Sequence, residues 1–168
     1  MDSYQRVVAG IAKAREELGE DRVSALMTTS EYSLGFPREI IDAYRENGFH
    51  SIFIRALNPY GLAKDNADWT AYYDRFVEFY KQALEYIIEL NKSGEVFVEE
   101  FATLILRKIL TPFPIGFVDL QSPAGIINGV IVYNYDGYVY ASDESRMLAE
   151  FRDYTFRVGS PRCGIKVM

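Results

Sequence analysis

Apolar positions along this chain change period several times, and each change marks an element. Tyr4, Val7, Val8, Ile11, Ala14 and Leu18 recur at helical spacing; Ser3 is placed to cap that helix and Gly19 to end it. Arg22–Met27 is a short apolar run that stops at Thr28-Thr29-Ser30, which predicts a strand. Pro37–Tyr44 returns to helical spacing, with proline at its start and Gly48 just past its end. Ser51–Leu57 is a second, β-branched run, closed by Asn58-Pro59-Tyr60-Gly61. Strand, helix and strand at this length predict a parallel pair with a right-handed crossover. Ligands of such units collect at the carboxyl ends of the strands, here Thr28–Ser30 and Arg55–Gly61. The order begins with a helix that, in such a pattern, should follow a strand.

Asn58–Ala67 is a polar connection, and Asn66 or Asp68 is suited to cap the next helix. That helix is predicted over Asp68–Leu90, with Lys92-Ser93-Gly94 as its stop. Its apolar residues fill so much of the circumference that two faces should be covered. Val96–Val98 reads as extended. Glu99-Glu100 precedes an amphipathic helix from Phe101 to Leu110, with Arg107-Lys108 complementing the dipole at its end. Thr111–Gly116, with two prolines, reads as a linker. An α/β part over residues 1–110 and an appendage over 111–168 follow. In the appendage, two β-rich runs flank Asp136-Gly137, which predicts a hairpin with a type I′ turn. Met147, Leu148, Phe151 and Tyr154 fit a short helix after it.

Composition narrows the chemistry. At 168 residues and 49% apolar content the chain can bury a core, and it has no apolar run of membrane-spanning length. A net charge of −6 without a basic block argues against nucleic acid. Cys163 is the sole cysteine, so an internal disulfide is excluded and the cytoplasm is the expected compartment. The single histidine, His50, without carboxylate or cysteine company, reads as structural rather than catalytic. The thirteen tyrosines read mainly as half-buried core residues. No phosphate loop, no H-E-x-x-H and no Ser/His/Asp order is present, which disfavours a conventional hydrolase or transferase.

The hairpin Val130–Tyr140 with Asp143-Glu144 resembles that of the C-terminal SPASM domain of radical S-adenosylmethionine enzymes. Ser24–Ser30 and Ser51–Gly61, ending I-R-A-L-N-P-Y-G, resemble the fifth and sixth strands of the partial (β/α)6 barrel in the same enzymes. The similarity runs from Ser3 to about Gly159 and is nearest to the radical maturases of the His-Xaa-Ser peptide system. It implies an α/β fold: a partial (β/α) barrel fragment holding about the last strands of the barrel, then a β-hairpin appendage. It also implies S-adenosylmethionine and a [4Fe–4S] cluster for the full-length family, and a peptide substrate. The family's C-x-x-x-C-x-x-C is absent. Ala141-Ser142-Asp143 and Ser122-Pro123-Ala124-Gly125 stand where auxiliary-cluster cysteines would be expected, and Cys163 lies beyond the matched region. Cluster iron requires thiolates. The chain alone is therefore expected to hold no cofactor or metal, to carry no catalytic residue and to be inactive.

Three functions are compatible with these features. As an enzyme fragment, the chain would offer Met27, Thr28, Thr29, Arg55, Leu57 and Asn58 to S-adenosylmethionine, with Arg55 pairing a carboxylate. As a non-catalytic module, it would bind a peptide or partner by strand addition. A conventional enzyme is the weakest. The strand at Val23–Met27 is expected to have an unpaired edge, so the chain should associate with a separate N-terminal half or with itself.

Overall fold

Alternate strand residues are buried beneath the helices that connect the strands, and that alternation organises the first half of the chain. The computed structural model describes residues 3–58, 68–120, 129–162 and 164–165. The fold is mixed α/β, with five α-helices, two small sheets and no closed barrel among the described residues. Two compact units divide the chain, residues 1–106 and 107–168.

In the first unit α1 (Ser3–Leu18) leads to β1 (Leu26–Thr29), α2 (Pro37–Glu46), β2 (Ser51–Ala56), α3 (Trp69–Lys92), β3 (Val98–Glu99) and the start of α4 (Glu100–Leu110). The strands lie in sequence order, β1-β2-β3, and all are parallel. Met27 pairs with Ile54, and Thr28 with Arg55. Met27, Ile52 and Ile54 face Ile41 of α2 and Phe79, Ala83 and Ile87 of α3 in one buried cluster. Leu26, Thr28, Phe53 and Arg55 point to the other face. There Phe53 meets Phe101 of α4 at 5.8 Å between ring centroids, and Leu26, Thr28 and Arg55 are exposed. Asp68 caps α3 by accepting the Ala71 N–H at 3.2 Å. Asn66 lies outside the described residues. Tyr73, Val77 and Ile88 of α3 remain exposed, so only one face of this helix is covered by the sheet.

The third strand has two residues, and Glu99 makes up for its shortness. Its side chain is 3% exposed. One carboxylate oxygen accepts the Ile54 N–H at 3.0 Å, where β2 runs on beyond β3. The other accepts the Ala102 N–H at 2.6 Å and the Tyr80 hydroxyl at 2.6 Å. Glu99 thus caps α4, completes the hydrogen bonding of β2 and anchors α3. Burial and the bond to Glu99 push the Tyr80 hydroxyl pKa well up.

The structure departs from the sequence reading at β1. The strand spans Leu26–Thr29 rather than Arg22–Met27, because Glu20–Arg22 forms a 3-10 turn and Thr28 and Thr29 continue in register with Arg55 and Ala56. The extended segment at Val98 is a third strand of the same sheet, so the parallel pair is a parallel triplet.

The second unit holds β4 (Val132–Tyr133), β5 (Val139–Tyr140), α5 (Asp143–Glu150), β6 (Arg157–Ser160) and β7 (Gly164–Ile165). The strands form one antiparallel sheet, ordered β4-β5-β6-β7. The hairpin is therefore half of a four-stranded sheet; β6 and β7 are short and glycine-containing and give no alternation in sequence. Its turn is not type I′. The Gly137 N–H bonds to the Asn134 carbonyl at 3.1 Å, so Tyr135 and Asp136 are the central pair and only Gly137 takes positive φ, at 79°. Ser142 caps α5 through the Ser145 N–H at 3.2 Å. The Arg157 guanidinium lies over the rings of Tyr138 at 3.8 Å and Tyr154 at 4.3 Å.

Two predictions follow from these contacts. Glu99→Ala strands the Ile54 and Ala102 amides and the Tyr80 hydroxyl, and should destabilise the first unit by about 3 kcal/mol or more. Urea unfolding followed by tyrosine fluorescence checks this, with Glu99→Gln expected to lose less. Asp136 provides a pH dependence. Partial desolvation raises its pKa, but bonds from the Tyr140 hydroxyl, the Tyr138 N–H and Asn134 outweigh it and hold the carboxyl below its usual value. A depressed carboxyl adds stability above its unfolded pKa of about 4, and that contribution is lost as pH falls through the folded value. Protection of the Tyr138 amide, measured relative to its intrinsic exchange rate at each pH, should fall below pH ~4 more steeply in the parent protein than in Asp136→Asn.

Candidate functional site

The carboxyl ends of β1 and β2 lie side by side, which brings the six sequence-predicted residues to one rim with unequal roles. Met27 is in the helix-facing core, and Thr29 is fully buried on the same face. Neither side chain is presented to a ligand. Thr28 and Arg55 pair across the strands on the opposite face, and both are exposed. Leu57 is half-buried and Asn58 exposed. Pro59–Gly61 fall outside the described residues.

Sequence reasoning did not identify what holds this rim together. Tyr72, in the first turns of α3, is fully buried. Its hydroxyl donates to the Thr29 carbonyl at 2.6 Å and accepts the Leu57 N–H at 2.7 Å. The last carbonyl of β1 and the first amide after β2 are thereby clamped to one phenol, and burial raises that phenol's pKa. Tyr73 adds a bond to the Leu57 carbonyl at 3.2 Å. In the sequence Tyr72 is one aromatic among many in a helical stripe, and nothing in the spacing singles out its hydroxyl. The Thr29 hydroxyl, by contrast, is buried and meets no partner among the described residues.

The second feature is the outer edge of β1. The Phe53 N–H bonds to the Ala25 carbonyl at 3.1 Å, which sets the phase of the ladder. Backbone groups of successive strand residues alternate in direction, so those of Leu26 and Thr28 point away from β2. No strand lies there among the described residues. Beside this edge is a groove of about 890 Å³. Tyr4, Val7, Val8 and Ile11 of α1 form one wall, Ile40 and Tyr44 of α2 another, and no charged residue among those described lines it. Both ends of α1 are tied to the segment that closes α2. Arg15 donates to the Asn47 carbonyl and stands 4.3 Å over the Phe49 ring, while the Asn47 amide donates to the Tyr4 hydroxyl at 3.0 Å. Gly48 permits this approach: its φ is 74° and a Cβ there would lie 3.3 Å from the Arg15 guanidinium. No residue of α1 is buried.

Other polar groups have structural partners. Arg45 bridges Asp42 and Glu95, and Tyr86 donates to Asp42 at 2.7 Å, tying α2 to the end of α3. His50 is exposed, and its carbonyl accepts the Val98 N–H at 3.0 Å. Among the described residues no three His, Cys, Asp or Glu side chains converge on a point that could hold a metal ion. Cys163 and Ser122–Gly125 are outside the described residues. With one cysteine in the whole chain, the donor set does not fit a [4Fe–4S] cluster. No helix among the described residues is long and apolar enough to cross a membrane. Comparison with protein-family models, with curated proteins and with solved structures finds no match.

The rim can be tested by two substitutions with opposite expected signs. Tyr72→Phe leaves the Thr29 carbonyl and Leu57 amide unpaired and should cost about 2 kcal/mol. Thr29→Val replaces an unpartnered buried hydroxyl with a methyl and should be neutral or stabilising by up to about 1 kcal/mol, a rise of about 2–4 °C in melting temperature. Differential scanning calorimetry of the two variants checks both.

Proposed function

We propose that the first unit is an arc of a partial (β/α) barrel of the radical S-adenosylmethionine type. The chain would then be part of a cytoplasmic peptide-modifying maturase that is inactive until the remaining strands join it. One observation carries this reading. The strands are parallel in sequential order, and both crossover helices, α2 and α3, pack on the same face. A doubly wound sheet reverses its strand order and places crossover helices on both faces, whereas a barrel keeps its crossover helices outside. On this reading Leu26, Thr28, Phe53 and Arg55 face the barrel interior, and the rim held by Tyr72 is the ligand end.

The cluster must then be ligated by the joining half, because this chain cannot supply its thiolates. What this chain contributes is position. Thr28 offers a hydroxyl at the rim, and Arg55 a guanidinium suited to a carboxylate. The proposal is tested with S-adenosylhomocysteine as probe. Its addition should shift the amide signals of Thr28, Arg55, Leu57 and Asn58, and Arg55→Ala should weaken binding about tenfold, the loss of one charge-assisted pair. Purified chain should release no 5′-deoxyadenosine from S-adenosylmethionine under anaerobic reduction. An unresponsive rim, or deoxyadenosine above a no-protein control, contradicts the reading.

A second reading, a non-catalytic module that binds a peptide or partner, is favoured by a different observation. Among the described residues, the open edge of β1 beside a mainly apolar groove does not require a ligand at the rim at all.

A further inference from the structure

We infer that the groove between α1 and the β1 edge receives one extended segment of a partner polypeptide. It would run parallel to β1 and carry apolar side chains at alternate positions. Three observations specify this occupant. The outward N–H and C=O groups of Leu26 and Thr28 form a hydrogen-bonding row that only an extended backbone satisfies in register. Among the described residues the groove beside that row has no charged lining residue and a mainly apolar wall, so apolar side chains suit it. Its walls are α1 and α2, so it lies on the helix-covered face, and an added strand would send every second side chain into it.

The direction follows from α1. Helix α2 leads into β2 and α3 into β3, each packing against the sheet between its own strand and the preceding parallel one. Helix α1 leads into β1 and stands beyond the β1 edge, next to α2. It therefore occupies the place of a right-handed crossover helix whose preceding strand would lie parallel to β1. A second copy of this chain does not meet that condition. Two β1 edges hydrogen-bonded across a twofold axis run antiparallel, because a twofold along the strands sets like groups opposite each other. The inference deepens the barrel reading but rests on the edge and the groove. Peptide binding without a response of the rim to S-adenosylhomocysteine would leave it standing while that reading falls.

The probe is a fluorescein-labelled ten-residue peptide alternating valine with lysine or threonine, titrated into the full chain. Fluorescence anisotropy should rise saturably. A scrambled peptide without alternation, and one N-methylated at every second amide along the pairing edge, should each bind at least tenfold more weakly. Ile11→Glu and Val7→Glu, both on the groove wall of α1, should weaken binding about tenfold while circular dichroism shows unchanged helix content. A nitroxide at the peptide's carboxyl end should broaden the Thr29 and Ser30 amides, and one at its amino end the Ser24 and Ala25 amides. Three results would overturn the inference: no saturable binding, the reversed broadening pattern, or a stable dimer by sedimentation whose β1 edges already occupy each other.

Discussion

A three-stranded parallel sheet has more backbone to satisfy at its margins than in its middle, and this constraint governs the first unit. The strands are four, six and two residues long, so β2 extends past its neighbour on the β3 side. Three devices answer the constraint, and a fourth position lacks one. Glu99 replaces the missing part of β3 with a carboxylate. Tyr72 clamps the carboxyl ends to α3. The crossover helices cover one face. The outer edge of β1 has no strand against it among the described residues.

This view gives the polar residues of the core a common purpose. Glu99 and Tyr72 each join a backbone group at a strand margin to a helix, and Tyr80 ties the Glu99 carboxylate to α3. A buried carboxylate is costly unless its oxygens are well hydrogen-bonded, and Glu99 accepts three bonds. The same logic makes the Leu26–Thr28 edge conspicuous, because the overhang of β2 and the carboxyl rim carry dedicated partners. Helix α1 fits the pattern: its amphipathic residues face a groove rather than a packed surface, and none is buried.

Much of this fold is legible in the sequence because it depends on local signals. Pro37 and Gly48 bracket α2, Asp68 caps α3, and the β-branched run at Ser51–Ala56 marks the central strand. What is not legible depends on distant partners. The two residues of β3 acquire strand character only by pairing with Ser51 and Ile52. Glu99 looks like an acidic helix start, and its reach to Ile54 crosses 45 positions. Asp136-Gly137 announces a hairpin, but the turn takes a different pair of central residues because Asn134 and Gly137 close it. At the rim, pattern brings six residues to the strand ends but cannot tell that Met27 and Thr29 face the helices while Thr28 and Arg55 face away. A single shift in strand phase reverses that assignment.

The central claim is that the β1 edge is an unfilled strand position. Residue-resolved amide hydrogen exchange on the monomeric chain tests it most directly. The account predicts strong protection for Phe53, bonded to Ala25, and for Ile54, bonded to Glu99. It predicts exchange near the unstructured rate for Leu26 and Thr28, whose amides point outward from the same sheet. Protection of Leu26 and Thr28 equal to that of Phe53 in the monomer would contradict it.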